Sequence, residues 1–148
     1  MTVDVRTEIV IDRPVAEVAA YAADPSNAPD WYANIESVDW KTAPPLQEGS
    51  AVAFVARFLR RRIAYTYEVV ELVPDRRLVM RTQQGPFPME TAYTWEAASA
   101  AATRMTIRNR GEPSGFSRIS APFMAPAMRR ANRKDLARLK SILEGTTP

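Results

Sequence analysis

The sequence predicts an α+β fold: one curved antiparallel sheet of seven strands around a long C-terminal helix. Three observations lead there. Apolar residues recur with a period of two in seven short segments, and the links between the last six are too short for crossover helices. The link between the first two segments carries one short amphipathic stretch and a further helical turn. From 117 to 144 the pattern changes to that of a single long helix, which cannot bury its apolar face alone and must lie across the sheet.

Each element can be justified in chain order. Val3, Val5, Thr7, Ile9 and Ile11 alternate with Asp4, Arg6, Glu8 and Asp12, giving a strand with one buried face that only Val10 interrupts. Pro14 suits a first helical turn, and Val15, Val18, Ala19 and Ala22 place a helix over 14–23. Residues 24–30, with Pro25 and Pro29, are punctuation followed by at most one more turn, closed by Trp31 and Tyr32. Strands follow over 35–41 and 50–59, the latter with Val52, Phe54, Ala56 and Phe58 on one face. Arg60-Arg61-Arg62 is a hairpin tip, and strands over 63–73, 77–83, 89–97 and 103–110 complete a meander. Within the last helix, Pro122 and Pro126 predict a kink or a separate turn in its first half, and Gly145 a stop. Met124, Met128, Ala131, Leu136, Leu139, Ile142 and Leu143 fall on one arc. Arg129, Arg130, Arg133, Lys134, Arg138 and Lys140 fall outside it, whereas Asn132 and Asp135 fall within it.

Composition narrows the chemistry. With 148 residues the chain makes one domain, 1–148, large enough for a real core. It has no Cys, which removes disulfides, thiolate nucleophiles and Cys-held metals. It has no His, which removes His-based triads and most transition-metal sites. Acid–base work is left to Asp, Glu, Tyr, Lys, Arg-assisted groups or water, a narrow set that favours binding over catalysis. There is no phosphate-cradling Gly-rich loop, nucleophile elbow or cluster of oxygen ligands, so neither a metal nor a cofactor is expected. Arg supplies 17 of the 20 basic residues, but the net charge is only +3, which gives no indication of nucleic-acid binding. No run approaches the roughly 20 apolar residues of a membrane span. The first residues show no basic stretch followed by an apolar one, so the expectation is no signal peptide and a cytoplasmic location.

Particular residues add a resemblance. The first strand followed by Pro14-Val15-Ala16-Glu17-Val18, then Ala23-Asp24-Pro25 ahead of Trp31, resembles the opening of the START-like superfamily, the polyketide cyclase/dehydrase and lipid-transport group. Glu71-Leu72-Val73-Pro74-Asp75-Arg76-Arg77-Leu78 is similar to one of its turns, and Asp135-Leu136-Ala137-Arg138-Leu139-Lys140 to the end of its last helix. The similarity spans nearly the whole chain. It implies the helix-grip architecture with an apolar cavity between sheet and helix. The superfamily includes aromatase/cyclases, hormone binders and lipid carriers, so the resemblance does not fix a function.

Candidate site residues follow. Phe54, Phe58, Tyr65, Tyr67, Met80, Phe87, Tyr93, Trp95, Phe123, Met124 and Met128 either line a cavity or pack as core; the resemblance favours the cavity. Trp31 and Tyr32 belong at the cavity's edge, and Phe87 suits a lid formed by residues 85–88. Asn109 and Asn132 are polar handles for a ligand. Asp135, in a dry pocket, would act as general acid or base, with Tyr93 or Glu68 as its partner. The bland alternatives are an Asp135 paired with an Arg at the rim and a solvated Glu68; Glu68 and Glu71 lie on opposite strand faces, so at most one points inward. The expected function is binding of a hydrophobic or aromatic small molecule. The alternatives are cyclase/dehydratase-type chemistry on a polyketide-like substrate, or contact with a macromolecule through the Arg-rich helix face or hairpin tip.

Overall fold

A computed structural model describes residues 3–58, 60–85, 87–112 and 121–145. It opens with β1 (Val3–Ile11), whose side chains at 3, 5, 7 and 11 are buried while those at 4, 6 and 8 are exposed. Pro14 stands just outside α1 (Val15–Ala23), which buries Val18, Ala19 and Ala22. A 3-10 turn over Pro25–Asn27 follows, capped by Asp24, whose carboxylate accepts from the Ser26 N–H at 2.9 Å. One more turn, α2 (Ala28–Trp31), completes the helical link.

The strands β2 (Ile35–Trp40), β3 (Ala51–Phe58), β4 (Arg61–Val73), β5 (Arg77–Gln84), β6 (Met89–Ser99) and β7 (Ala102–Gly111) run consecutively, and α3 (Ala121–Glu144) closes the chain. The sheet has seven strands in the order β1-β7-β6-β5-β4-β3-β2, every neighbour antiparallel. Hairpins therefore account for every pairing except β1 with β7, which joins the start of the sheet to its end.

Three details differ from the expectation. Arg61 and Arg62 are strand residues, paired with Phe58 and Arg57, and only Arg60 forms the described tip, with φ 64°. Arg62 also forms an ion pair with Glu36 of β2, at 3.3 Å. The β6–β7 turn is tighter than 98–102, since Ser99 pairs with Ala102. The last helix is continuous from Ala121 through Pro126, with no separate turn; positions 117–120 of the expected helix lie outside the described residues. Gly145 ends it at φ 71°, a left-handed position that favours glycine.

Two sets of contacts hold α3 in place. Leu136 and Leu139 join Ile11, Val18, Trp31, Val52, Val69, Leu78, Met105 and Ile107 in the main core. At its C-terminal end Glu144 accepts from the Asp12 N–H at 2.7 Å and from Lys140 at 2.6 Å, while Arg13 donates to the Glu144 carbonyl at 3.1 Å. The Asp12 N–H first, and Lys140 second, hold the Glu144 carboxyl below the ordinary carboxylate range. The end of β1 thus fixes the end of α3. The helix is pinned at that end and by its core leucines, which sets the phase of Asn132 and Asp135.

Candidate functional site

Between the inner face of the sheet and α3 lies a cavity of about 150 Å³. Its wall is built from strand residues two apart: Phe54, Ala56 and Phe58 on β3, Ile63, Tyr65 and Tyr67 on β4, Met89, Thr91 and Tyr93 on β6. Met80 on β5 and Phe87 of the β5–β6 loop complete this side, and Met124, Met128 and Ala131 of α3 cover it. Three aromatic rings form one group: Phe54 stacks on Tyr65 at 5.5 Å, and Tyr67 meets both edge-on, at 5.9 and 5.0 Å.

Besides Asp24, Asn34 and Arg57, two clusters of polar side chains line the cavity. Asn109, Thr91 and Tyr67 form a chain in which the Thr91 hydroxyl donates to Asn109 Oδ1 at 2.9 Å. Thr91 has one proton to give, so Tyr67 must be the donor in the 2.8 Å contact between their hydroxyls. Burial raises the Tyr67 phenol to about 12, against the lowering effect of that bond. Tyr67 is therefore a neutral phenol at neutral pH, its own proton already engaged.

The second cluster lies where α2 meets α3. Asn132 and Asp135, one turn apart on α3, are both buried and both face the cavity wall. Asp135 is 3% exposed and accepts one hydrogen bond, from the Ala33 N–H at 3.1 Å. Burial raises its carboxyl to about 6; the Ala33 bond and nearby Lys134 offset part of the effect. The Asn132 amide nitrogen is buried without a partner among the described residues. Facing these groups, the hydroxyls of Tyr32 and Tyr93 are hydrogen-bonded to each other. Burial raises both phenols, and the Asp135 charge adds to the rise. Two hydroxyls in contact spend one proton on each other, so the other remains to donate elsewhere.

Of the residues the sequence singles out, Phe54, Phe58, Tyr65, Tyr67, Met80, Phe87, Tyr93, Asn109, Met124, Met128, Asn132 and Asp135 all border this cavity. Four do not. Trp31 is sealed behind the tyrosine pair, its ring 4.1 Å from Tyr32 and 5.9 Å from Tyr93, so it backs the site instead of edging it. Trp95 meets the cavity residue Tyr93 edge-on at 6.0 Å but does not reach the cavity; with Ala19, Ala20 and Ala23 of α1 it borders a different groove. Phe123 is 63% exposed, because it is rotated about 100° from Met124 on the helix. Glu68 stands on the outer face of β4, within 3.5 Å of the Gln83 amide, and Glu71 pairs with Arg77 at 3.2 Å; neither enters the cavity. The basic residues Arg129, Arg130, Arg133 and Lys134 lie on α3 away from its buried face and have no ion pair among the described residues. Ile63, Met89, Thr91 and Ala131 were not singled out, although the first three share the period-two phase of Tyr65 and Tyr93.

Among the described residues no group of acids is placed to hold a metal ion, and no helix is long and apolar enough to cross a membrane.

Comparison with known structures shows the same fold. The chain superimposes on the Zhui aromatase/cyclase of Streptomyces sp. R1128 with a TM-score of 0.79 and 16% identity, covering 97% of this chain and 94% of that one. A START superfamily protein from Mycobacterium smegmatis gives a TM-score of 0.82 and 12% identity, covering 97% and 99%. No curated protein sequence matches the chain. The sequence pattern of one family runs from residue 2 to residue 144, nearly end to end through the strands and helix just described. By that match the chain belongs to the polyketide cyclase/dehydrase and lipid transport family, and its sheet and C-terminal helix are the START-like helix grip.

Proposed function

We propose that the chain binds a small hydrophobic molecule of about one ring, carrying a hydroxyl at one end. The observation that supports this most is the pairing of Asn132 and Asp135 at one end of an aromatic-walled cavity. A ligand hydroxyl can donate to the Asp135 carboxylate and accept from the unpartnered Asn132 amide, meeting the needs of both buried groups with one oxygen. The volume, about 150 Å³, suits a ring and is below the roughly 300–1,000 Å³ of pockets that take larger ligands.

One observation favours a second reading, proton transfer on such a ring. A carboxyl at about 6 beside phenols kept neutral by burial is a competent base near neutral pH. The same volume argues against an extended poly-β-ketone chain as substrate.

Native mass spectrometry of freshly purified protein, followed by calorimetric titration with phenol and with toluene, tests the binding reading. Phenol is expected to bind at least about tenfold more tightly than toluene, the value of one well-made buried hydrogen bond. Ala131→Phe places a ring in the cavity and is expected to abolish phenol binding while the protein stays folded. Equal affinity for the two probes would remove the role given to Asn132 and Asp135. Undiminished phenol binding by a folded Ala131→Phe variant would remove the cavity as the site.

A further inference from the structure

A second concavity, of about 580 Å³, lies between α1, the β2–β3 loop and the β4–β5 turn. It shares only Ala23 and Asp24 with the wall of the central cavity, and its volume is that of an ordinary small-molecule site. Its apolar wall includes Trp40, Leu46 and Leu72 together with three prolines of the two loops.

Two features give this groove a chemical preference. The Trp95 ring is 3% exposed and borders the groove, and its indole N–H has no hydrogen-bond partner among the described residues. The other wall indole, Trp40, is already committed, donating to Ser26 Oγ at 2.9 Å. A buried N–H donor without an acceptor is a vacancy that a ligand oxygen can fill. The charged residues of the wall are Asp24 and Asp75, with no Arg or Lys among them. Asp24 already accepts from the Ser26 N–H, whereas Asp75 has no ion pair among the described residues. Carboxylates beside an indole face favour a cation and disfavour an anion.

We propose that this groove is a second ligand site, for a small organic amine that also carries a hydroxyl or carbonyl oxygen. The apolar body lies against Trp40 and Leu72, the ammonium faces Asp75, and the oxygen accepts from the Trp95 N–H. The proposal is independent of what the central cavity binds.

The three tryptophans make the test direct, because in indole-15N-labelled protein each gives one N–H signal. The probes share one ring and differ in charge: 2-amino-1-phenylethanol, 2-phenylethanol and phenylacetate. The amine is expected to shift the Trp40 and Trp95 signals and leave Trp31 in place. The neutral alcohol is expected to shift the same two signals severalfold more weakly, and phenylacetate neither. Asp75→Asn should fold, since Asn tolerates the φ of 63° at that position, and should lower amine affinity to that of the alcohol. Trp95→Phe should weaken the amine and the alcohol alike while keeping their order. Shifts confined to Trp31, no shift at any tryptophan, phenylacetate binding as well as the amine, or an Asp75→Asn variant with unchanged preference would each overturn the proposal.

Discussion

Replacing Asp135 with Asn is expected to stabilise the folded chain by about 3 kcal/mol at pH 8 and by less than about 1 kcal/mol near pH 4. The carboxyl is raised to about 6 in the fold, chiefly by burial, from an ordinary value of 3.8. The folded state therefore holds this proton more tightly than the unfolded chain does. Its contribution to stability is fully present only well below 3.8, where both states are protonated, and is already partly lost at pH 4. It is lost as pH rises through about 6, because the buried group must then ionise. Asn has no proton to lose and can still accept the Ala33 N–H through its amide oxygen, so the variant skips that loss. Urea unfolding at pH 4, 5, 6, 7 and 8 checks this. The two curves should converge toward the acid end and separate between pH 4 and 6. Parallel curves over the whole range would show that Asp135 is not buried in the way described. If Asp135 also serves as acceptor for a ligand hydroxyl, the variant trades ligand affinity for stability, as functional sites commonly do.

Leu139→Ala is expected to cost about 3 kcal/mol, within the usual 2–5 kcal/mol for emptying a packed position. Leu139 is fully buried, in a core that joins α3 to Ile11 of β1 and to Trp31. The same truncation at Phe123, on the exposed side of the same helix, should change stability by less than about 0.5 kcal/mol. Thermal unfolding of the two variants makes the comparison: a fall on the order of 10 °C for the first and almost none for the second. A large loss at Phe123 would mean that its side of α3 is covered in solution.

The sheet was readable from the sequence because each strand has one buried face, so a period of two marks both its existence and its orientation. The same logic found Asn132 and Asp135, whose helical phase coincides with that of Leu136 and Leu139. Trp31 and Trp95 show where that logic stops. Period two says that Trp95 points inward, but not that α1 lies over that end of β6 while the cavity lies under its other end. Trp31 and Tyr32 are neighbours in sequence, and only the direction in which the chain leaves α2 decides that the Tyr hydroxyl meets the cavity and the Trp ring backs it. Phe123 is different: the arc drawn through Met124 and Met128 already excluded it, and hydrophobicity alone had suggested otherwise. The hydroxyl pair of Tyr32 and Tyr93 joins residues far apart in the chain, and no local pattern announces it.

The pairing of β1 with β7 also bears on how the chain is made. Every other neighbour in the sheet is a hairpin partner, available within moments of its own synthesis, whereas Val3 waits for Gly111 and Ile11 for Thr103. While the ribosome works through about a hundred residues, β1 is a free strand with an apolar face and an unpaired edge. Its outward positions carry Asp4, Arg6 and Glu8, charges that deter it from joining another nascent chain before its own partner emerges. The grip of sheet on helix thus closes only after β7 and α3 have both emerged, and no ligand can find a finished cavity before α3 has left the ribosome.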